Sequence, residues 1–527
     1  MFDNKPTLRL RWLFTIVATF GVLWTLSACS DDVDGTGEGT RQPPEQSDEC
    51  PSGQQWNPVS EACVAVDGTE DAGVANGGTS DDIGGGGDSD SDDVDSGAED
   101  GGNGETVTPC EGLECEQVSC PGTQTTSITG TVHIPSGELP LPDVSVYVPN
   151  TPVEPLDEGA SCVPCGDELS AEPVVEDSTN IHGHFSLNDA PVGEEVPLVV
   201  EVGKWRRQLT VEVNECQQNA LDPELTRLPR NQEEGDLPKM AVTTGGWDAL
   251  ECLIKKIGVD RAEFSTEEGD GRVNLFAGHG GSNRFSDSLN DGAEFTTAWD
   301  WWDDLDNLLD YDIVLHSCEG SANLNDKSQQ ARDALYDFTL AGGRVFLSHW
   351  HNAWLEHGPA PFQSVANWDS GMASLNDPET GFIDTTFDKG EMLYDWMGQY
   401  SSAPTGQFPV HEPRATVGSI DNDRAQQWVW AEPDPPPITF PGMPETPDEV
   451  VQYFSFNTPL EVPPEQQCGR VVFSDIHVSP DESSSPENPF PDDSCTADGL
   501  SPQEKALVFM LFDLSRCIVP DGKKGDP

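Results

Sequence analysis

Tyr311-Asp-Ile-Val-Leu-His-Ser317, then Gln329 to Leu340, then Gly342-Gly-Arg-Val-Phe-Leu-Ser-His349 decide the fold of this chain. The outer two segments are short and continuously apolar, the pattern of strands buried on both faces. The middle segment is helical in its apolar spacing and ends at Gly342-Gly343, a natural C-cap. Strand, helix, strand is the unit that joins parallel strands. The alternation continues outward. Met240-Ala-Val-Thr-Thr is a strand broken by Gly245-Gly246, and Trp247 to Ile257 has Leu250, Leu253, Ile254 and Ile257 at helical spacing before Gly258. Val273-Asn-Leu-Phe-Ala-Gly-His279 is a further strand, Trp301 to Leu309 a helix, and Gly469-Arg-Val-Val-Phe-Ser-Asp-Ile-His477 a late strand. Ser501 to Arg516 closes the set as a helix, with Ser501 as N-cap and Glu504 at the capping-box position. Residues 236–520 are therefore expected to form an α/β, flavodoxin-like parallel sheet. A Pro- and Trp-rich insertion at about 352–462 is expected to make a lid or a partner surface.

Before it, residues 121–230 read differently. Ser127-Ile-Thr-Gly-Thr-Val-His-Ile and Val144-Ser-Val-Tyr-Val alternate with period two. Gly183-His-Phe-Ser-Leu, Val196 to Val202 and Trp205 to Val213 follow, with a turn at Gly203-Lys204. Short strands without helices indicate a small antiparallel β-sandwich. Trp205-Arg206-Arg207 is its basic, aromatic spot, a strand face or a contact with the next domain. Cys162-Val-Pro-Cys165 has no second pair at zinc-finger spacing, so it reads as structural disulfide chemistry.

The N-terminus carries Lys5, Arg9 and Arg11, an apolar run from Trp12 to about Leu26, and Leu26-Ser-Ala-Cys29. This is a secretory signal at 1–28 whose apolar core is short for a membrane span. Its ending resembles the lipobox of bacterial lipoproteins, which implies lipid on Cys29, a membrane as partner and an extracytoplasmic location. Ser30 rather than Asp at the next position implies the outer membrane or cell surface. Residues 29–120 are an acidic Gly/Ser/Asp-rich stalk, expected to be disordered. Small cysteine loops interrupt it at Cys50 to Cys63 and at Cys110, Cys115 and Cys120. With 26 basic and 95 acidic side chains the 527-residue chain has a net charge of −69. That balance excludes nucleic acid as a partner, since phosphates demand a basic footprint. Fourteen cysteines in an exported chain read as disulfides. Once Cys29 is lipidated an odd number remains. Cys252, Cys468, Cys495 and Cys517 are expected to be structural.

Ligands of an open parallel sheet bind beyond the carboxyl ends of its strands. Histidines stand there: His316, His349 with His351, and His477, with Ser348, Cys318, Glu319 and Asp475 beside them. Imidazole with thiolate or carboxylate suits a transition metal such as zinc, or proton transfer near neutral pH. His316, His349 and His477 are the candidate metal ligands; the rival reading makes them buried histidines bonded to backbone. Cys318 is either a thiol activated by His316 or His349, or half of a disulfide, and the oxidising compartment favours the disulfide. Trp350, Trp354 and Trp368 either line a sugar-binding cleft or fill the core.

Gly130/Val132, Pro140 to Val146 and Thr179/Gly183/Phe185 resemble the strand motifs of the carboxypeptidase regulatory-like domain. That resemblance implies a spacer or binding module. The Tyr-Asp strand, the Gly-Gly-x-Val strand ending in His349 and the late strand ending in His477 resemble the class I glutamine-amidotransferase-like fold, in its trehalose-utilisation-type branch. Amidotransferases keep a cysteine nucleophile on the sharp turn where this chain has Ser348-His349-Trp350, so glutamine hydrolysis is not expected. The expected function is a membrane-anchored binding or scaffold lipoprotein with a degenerate amidotransferase-like domain, taking a glycan or an envelope protein as ligand. The competing one is a metal- or cysteine-dependent hydrolase of envelope or extracellular polymers.

Overall fold

The computed structural model describes residues 112–518 together with Cys110, apart from 163–168, 370, 372, 402–405, 435–445, 480–482, 492–494, 496–498 and 517. It also describes the backbone of two short antiparallel strands, Gln54–Asn57 and Ala62–Ala65. The signal segment, Cys29, Cys50 and most of the acidic stretch lie outside the described residues, as do Cys165 and Cys517. Among the described residues no helix is long and apolar enough to cross a membrane.

The protein is sheet-rich. Two small sheets use β1 (Ser127–Thr131), β2 (Ser145–Pro149), β3 (Pro173–Ser178), β4 (His184–Asn188), β5 (Gly193–Val202), β6 (Trp205–Val213) and β7 (Gln218–Ala220). They are ordered β4-β1-β7 and β3-β2-β5-β6. Alternation does its ordinary work here: in β4, Phe185 and Leu187 are buried while their neighbours are exposed. All pairings are antiparallel except β1 with β7, which run parallel. The short β7 gives little sequence signal for that exception.

A ten-stranded sheet follows. Its strands are β8 (Met240–Thr243), β9 (Phe264–Ser265), β10 (Val273–Phe276), β11 (Ile313–His316), β12 (Arg344–Ser348), β13 (Glu379–Ile383), β14 (Gln407–Val410), β15 (Ala425–Ala431), β16 (Val450–Thr458) and β17 (Gly469–Ser474). The order is β9-β10-β8-β11-β12-β17-β16-β15-β13-β14. From β9 to β17 every pairing is parallel, as the continuous apolar runs require. From β17 onward every pairing is antiparallel. The segment expected to form a lid thus completes the sheet instead. Its strand β16 is buried along its whole length, so its hydrophobic content is core.

Two cores cover the two faces, and the side-chain period of two sorts each strand between them. Ile313 and Leu315 join one core with Leu250, Leu253 and Ile254 of α1 (Leu250–Lys256) and with α4 (Asp388–Tyr400) and α5 (Pro502–Leu514). Val314 joins the other, with Leu308 of α2 (Leu305–Leu309) and Ala331, Leu335 and Phe338 of α3 (Gln329–Leu340). The N-cap Ser328 accepts from Ala331 N, and α5 carries the expected Ser501/Glu504 capping box. The helix expected from Trp301 shrinks to α2, because Trp301 and Trp302 are drawn into the core against Phe276 and Trp354.

The first core runs without a break from Ile128 and Val146 of the two small sheets to the large sheet, so these sheets are packed together rather than spaced apart. Trp205 lies against Phe512 at 5.6 Å and Trp396 Nε1 donates to Pro140 O. Lys204 pairs with buried Asp312 at 2.5 Å. Gly258, at φ +104°, brings its chain so near Ser136 that a Cβ would sit 2.2 Å from that residue's backbone nitrogen. Disulfides Cys110–Cys115, Cys120–Cys216, Cys162–Cys468 and Cys252–Cys495 staple the unit. Cys162 therefore reaches across 306 residues to the start of β17, and the CxxC motif does not close on itself.

Candidate metal centre

Four loops meet beyond the carboxyl ends of β8, β11, β12 and β17. Each begins where an apolar strand ends, so the polar side chains that follow are held at the sheet edge by buried backbone. Gly245 lets the first loop lie on the second: a Cβ there would sit 2.2 Å from Cys318 O. Trp247 N donates to that same carbonyl at 3.1 Å. His349 occupies the sharp turn after β12 with φ +53°, a backbone state uncommon outside glycine.

Cys318 carries a free, buried thiol, contrary to the disulfide favoured from the oxidising compartment. Burial explains it: the side chain has no exposed surface, and its neighbours are histidines rather than another cysteine. Sγ lies 3.4 Å from His349 Nδ1 and accepts from Gly320 N at 3.3 Å. The His349 and His477 rings are 4.1 Å apart, centre to centre. One ligand atom from each of Cys318, His349 and His477 lies within 4.8 Å of the others.

Asp248, which is not among the residues expected from the sequence, organises this group. Its Oδ1 accepts from His477 Nδ1 and from Val478 N, both at 2.8 Å. Its Oδ2 accepts from Cys318 N at 3.2 Å and from the Ser348 hydroxyl. Asp248 follows β8 as the histidines follow their own strands, and that position was the signal available. Because Nδ1 of His477 is committed to Asp248, its Nε2 is the nitrogen left to bind a ligand.

Burial lowers His349 well below the ordinary histidine range, with the His477 charge acting in the same direction. His349 is therefore neutral at neutral pH, as a metal ligand must be. For His477 burial opposes the charged form most strongly, but Asp248, joined by Glu412 and the backbone of Trp247, outweighs it and raises the pKa. Burial pushes the Cys318 thiol up to about 12, with Asp248 adding to the rise. Without a cation the thiol therefore stays protonated and is a poor nucleophile. A bound metal reverses this, since coordination deprotonates thiols outright. The 3.4 Å from Sγ to Nδ1 also fits: donors at roughly 2.3 Å and 2.0–2.1 Å from one tetrahedral ion stand about 3.5 Å apart.

The other predicted residues serve as framework. His316 shares the face of Val314, away from the Cys318–His349–His477 group, and stacks on Trp354 and His351. Its Nδ1 meets Thr243 Oγ1 at 3.0 Å, so it is a core histidine and not a ligand of this group. His351 Nε2 bonds Ser317 O at 2.7 Å, and Trp354 Nε1 donates to His351 Nδ1. Glu319 forms a fully buried pair with Lys327 at 2.6 Å, which fixes the loop after Cys318. Asp475 turns away from His477: its Oδ2 accepts from Thr416 N at 2.7 Å, and Arg414 lies 3.9 Å from Oδ1. Burial pushes its carboxyl up to about 7, against the pull of Arg414.

The stretch His411 to Thr416, which follows β14, roofs the centre. Glu412 Oε2 lies 3.4 Å from His477 Nε2, and Arg414 stacks on Trp350 at 3.6 Å. On the other side Trp247 is 55 % exposed, unlike nearly every other large apolar side chain described, with its ring 6.0 Å from that of His477. Beside the roof lies a cleft of about 560 Å³ lined by Trp350, Asn352, Glu356, Trp368, Asp369 and Arg414 among others.

No family of known proteins and no curated protein matches this chain. Among solved structures, a 9R-lipoxygenase from Cyanothece PCC8801 aligns over 70 % of this chain and 44 % of its own, at 9 % identity with a TM-score of 0.11. This chain spans less than half of that enzyme, and a likeness so slight carries no argument.

Proposed function

We propose that this protein is an exported lipoprotein, anchored through lipid on Cys29, that hydrolyses an extracytoplasmic substrate at a transition-metal centre on Cys318, His349 and His477. The observation that carries this is the convergence of the three donors, with the second nitrogen of His477 held by Asp248. Three protein ligands leave one position open, the arrangement of catalytic rather than structural zinc sites. A carboxylate behind a ligating histidine fixes its tautomer and raises its basicity. A metal in such a site supplies Lewis acidity and an activated water at neutral pH.

The protein's own groups do the rest. Asp248 orients His477, Gly320 N steadies the Cys318 sulfur, and the Arg414–Trp350 stack forms the wall shared with the cleft. The cleft's tryptophans, amide and carboxylates suit a glycan, whose apolar ring faces and hydroxyls need both kinds of partner. The left-handed turn at His349 supports the amidotransferase-like reading of 236–520, with histidine at the place that fold reserves for its nucleophile. The two small sheets support a carboxypeptidase regulatory-like module, and Ser30 supports the outer membrane.

The second reading is a binding lipoprotein that holds the ion and a ligand without turnover. The burial of all three donors favours it, since Cys318 is fully buried and His477 only 3 % exposed. Hydrolysis of p-nitrophenyl acetate and of a panel of envelope glycans by the zinc-loaded ectodomain separates the two. Turnover that disappears in His349→Ala and in His477→Ala supports the enzyme. Binding without turnover leaves the second reading.

A further inference from the structure

The donors are almost sealed, so a cation needs a route to them. Among the described residues, the partly exposed carboxylate in contact with a donor is Glu412, 45 % exposed at its side chain and 3.4 Å from His477 Nε2. It does not belong to the compact group formed by Cys318, His349 and His477.

Its backbone is also held in an uncommon state. Glu412 has φ +51°, a conformation that costs a non-glycine residue free energy and persists only when surroundings enforce it. They do: His411 N donates to Gln503 Oε1 at 2.8 Å, and Glu412 N to Asp377 Oδ1 at 3.2 Å. Gln503 in turn donates to His477 O. The network that sets the Glu412 turn is thus tied to the ligand it faces.

We propose that Glu412 is the capture carboxylate of the centre: it binds an incoming divalent transition-metal ion first and passes it to Cys318, His349 and His477. This rests on the metal-centre reading above. A strongly acidic surface concentrates cations near the protein, and a charged side chain in touch with a ligand nitrogen gives the ion a first partner before it sheds its water. Once the ion is seated on sulfur and imidazoles, the carboxylate is released.

The test is stopped-flow uptake of cobalt(II) by the metal-free ectodomain, read by thiolate-to-cobalt absorption. Glu412→Gln keeps the shape and removes the charge. It is expected to slow second-order uptake by about tenfold or more, with unchanged final stoichiometry and spectrum. Glu412→Gly suits the same backbone and must be slow as well. An unchanged rate in Glu412→Gln overturns the proposal. So does a reduced stoichiometry or altered final spectrum, which makes Glu412 a permanent ligand. A fast Glu412→Gly beside a slow Glu412→Gln also overturns it, because the side chain is then an obstruction. If the unmodified protein takes up no cobalt, the metal-centre reading itself has failed, and this proposal with it.

Discussion

Asp248 Oδ1 accepts the Nδ1–H of His477 at 2.8 Å, across 229 residues of chain. The same carboxylate accepts from Cys318 N, Val478 N and the Ser348 hydroxyl, so one side chain ties together the ends of β11, β12 and β17. Asp248→Asn keeps the size but removes the charge behind the imidazole. Zinc affinity, measured by competition with a chelating dye, should fall about 10–100-fold, while the native circular dichroism is retained.

Cys318 is the free thiol beside the histidines. In the metal-loaded ectodomain it should resist iodoacetamide. Removal of the ion together with mild denaturant should expose one reactive thiol that is missing in Cys318→Ala. Labelling of Cys318 in the native, loaded protein would contradict its role as a ligand.

Cys162–Cys468 closes a loop of 306 residues between the small sheets and the start of β17. The double variant Cys162→Ala/Cys468→Ala should lose about 3–5 kcal/mol of stability, seen as a lower urea midpoint. Metal content should be unchanged, because Cys468 lies at the opposite end of β17 from His477.

Glu201 is buried between Tyr147 OH, at 2.9 Å, and Ser170 Oγ, at 2.6 Å. Burial raises its pKa, and those hydrogen bonds only partly offset the rise. The native state therefore binds this proton more tightly than the unfolded chain. The associated stability is full below the ordinary glutamate range and is lost as pH rises through the raised value. Glu201→Gln should match the unmodified protein in urea midpoint at pH 4 and exceed it at pH 8. Equal pH dependence in the two proteins would contradict this.

The parallel half of the large sheet was legible because its strands are continuously apolar and its helices carry ordinary stops: Gly342-Gly343 after α3 and Ser501 before α5. The antiparallel half was not. Strands such as β15, with Gln426, Gln427 and Trp430 only partly buried, lack a clean period and sit among prolines, so they resemble surface. Within the site, His349, His477 and Cys318 were visible as polar residues ending apolar runs. His316 gave the same local signal yet lies on the opposite face, since the period of two and not the strand end decides which way it points. Asp248 stands past a Gly-Gly break inside what read as a helix. Glu412 lies in irregular chain, where nothing in sequence marks a contact with His477.

The central claim is most directly tested by the metal content of the purified ectodomain, beginning after Cys29 and folded in an oxidising compartment. About one zinc or similar ion per chain is predicted, lost in Cys318→Ala, His349→Ala and His477→Ala but retained in His316→Ala. A metal-free protein that takes up no zinc when supplied, and whose melting temperature is unchanged by chelator, would contradict it and return these histidines to the framework.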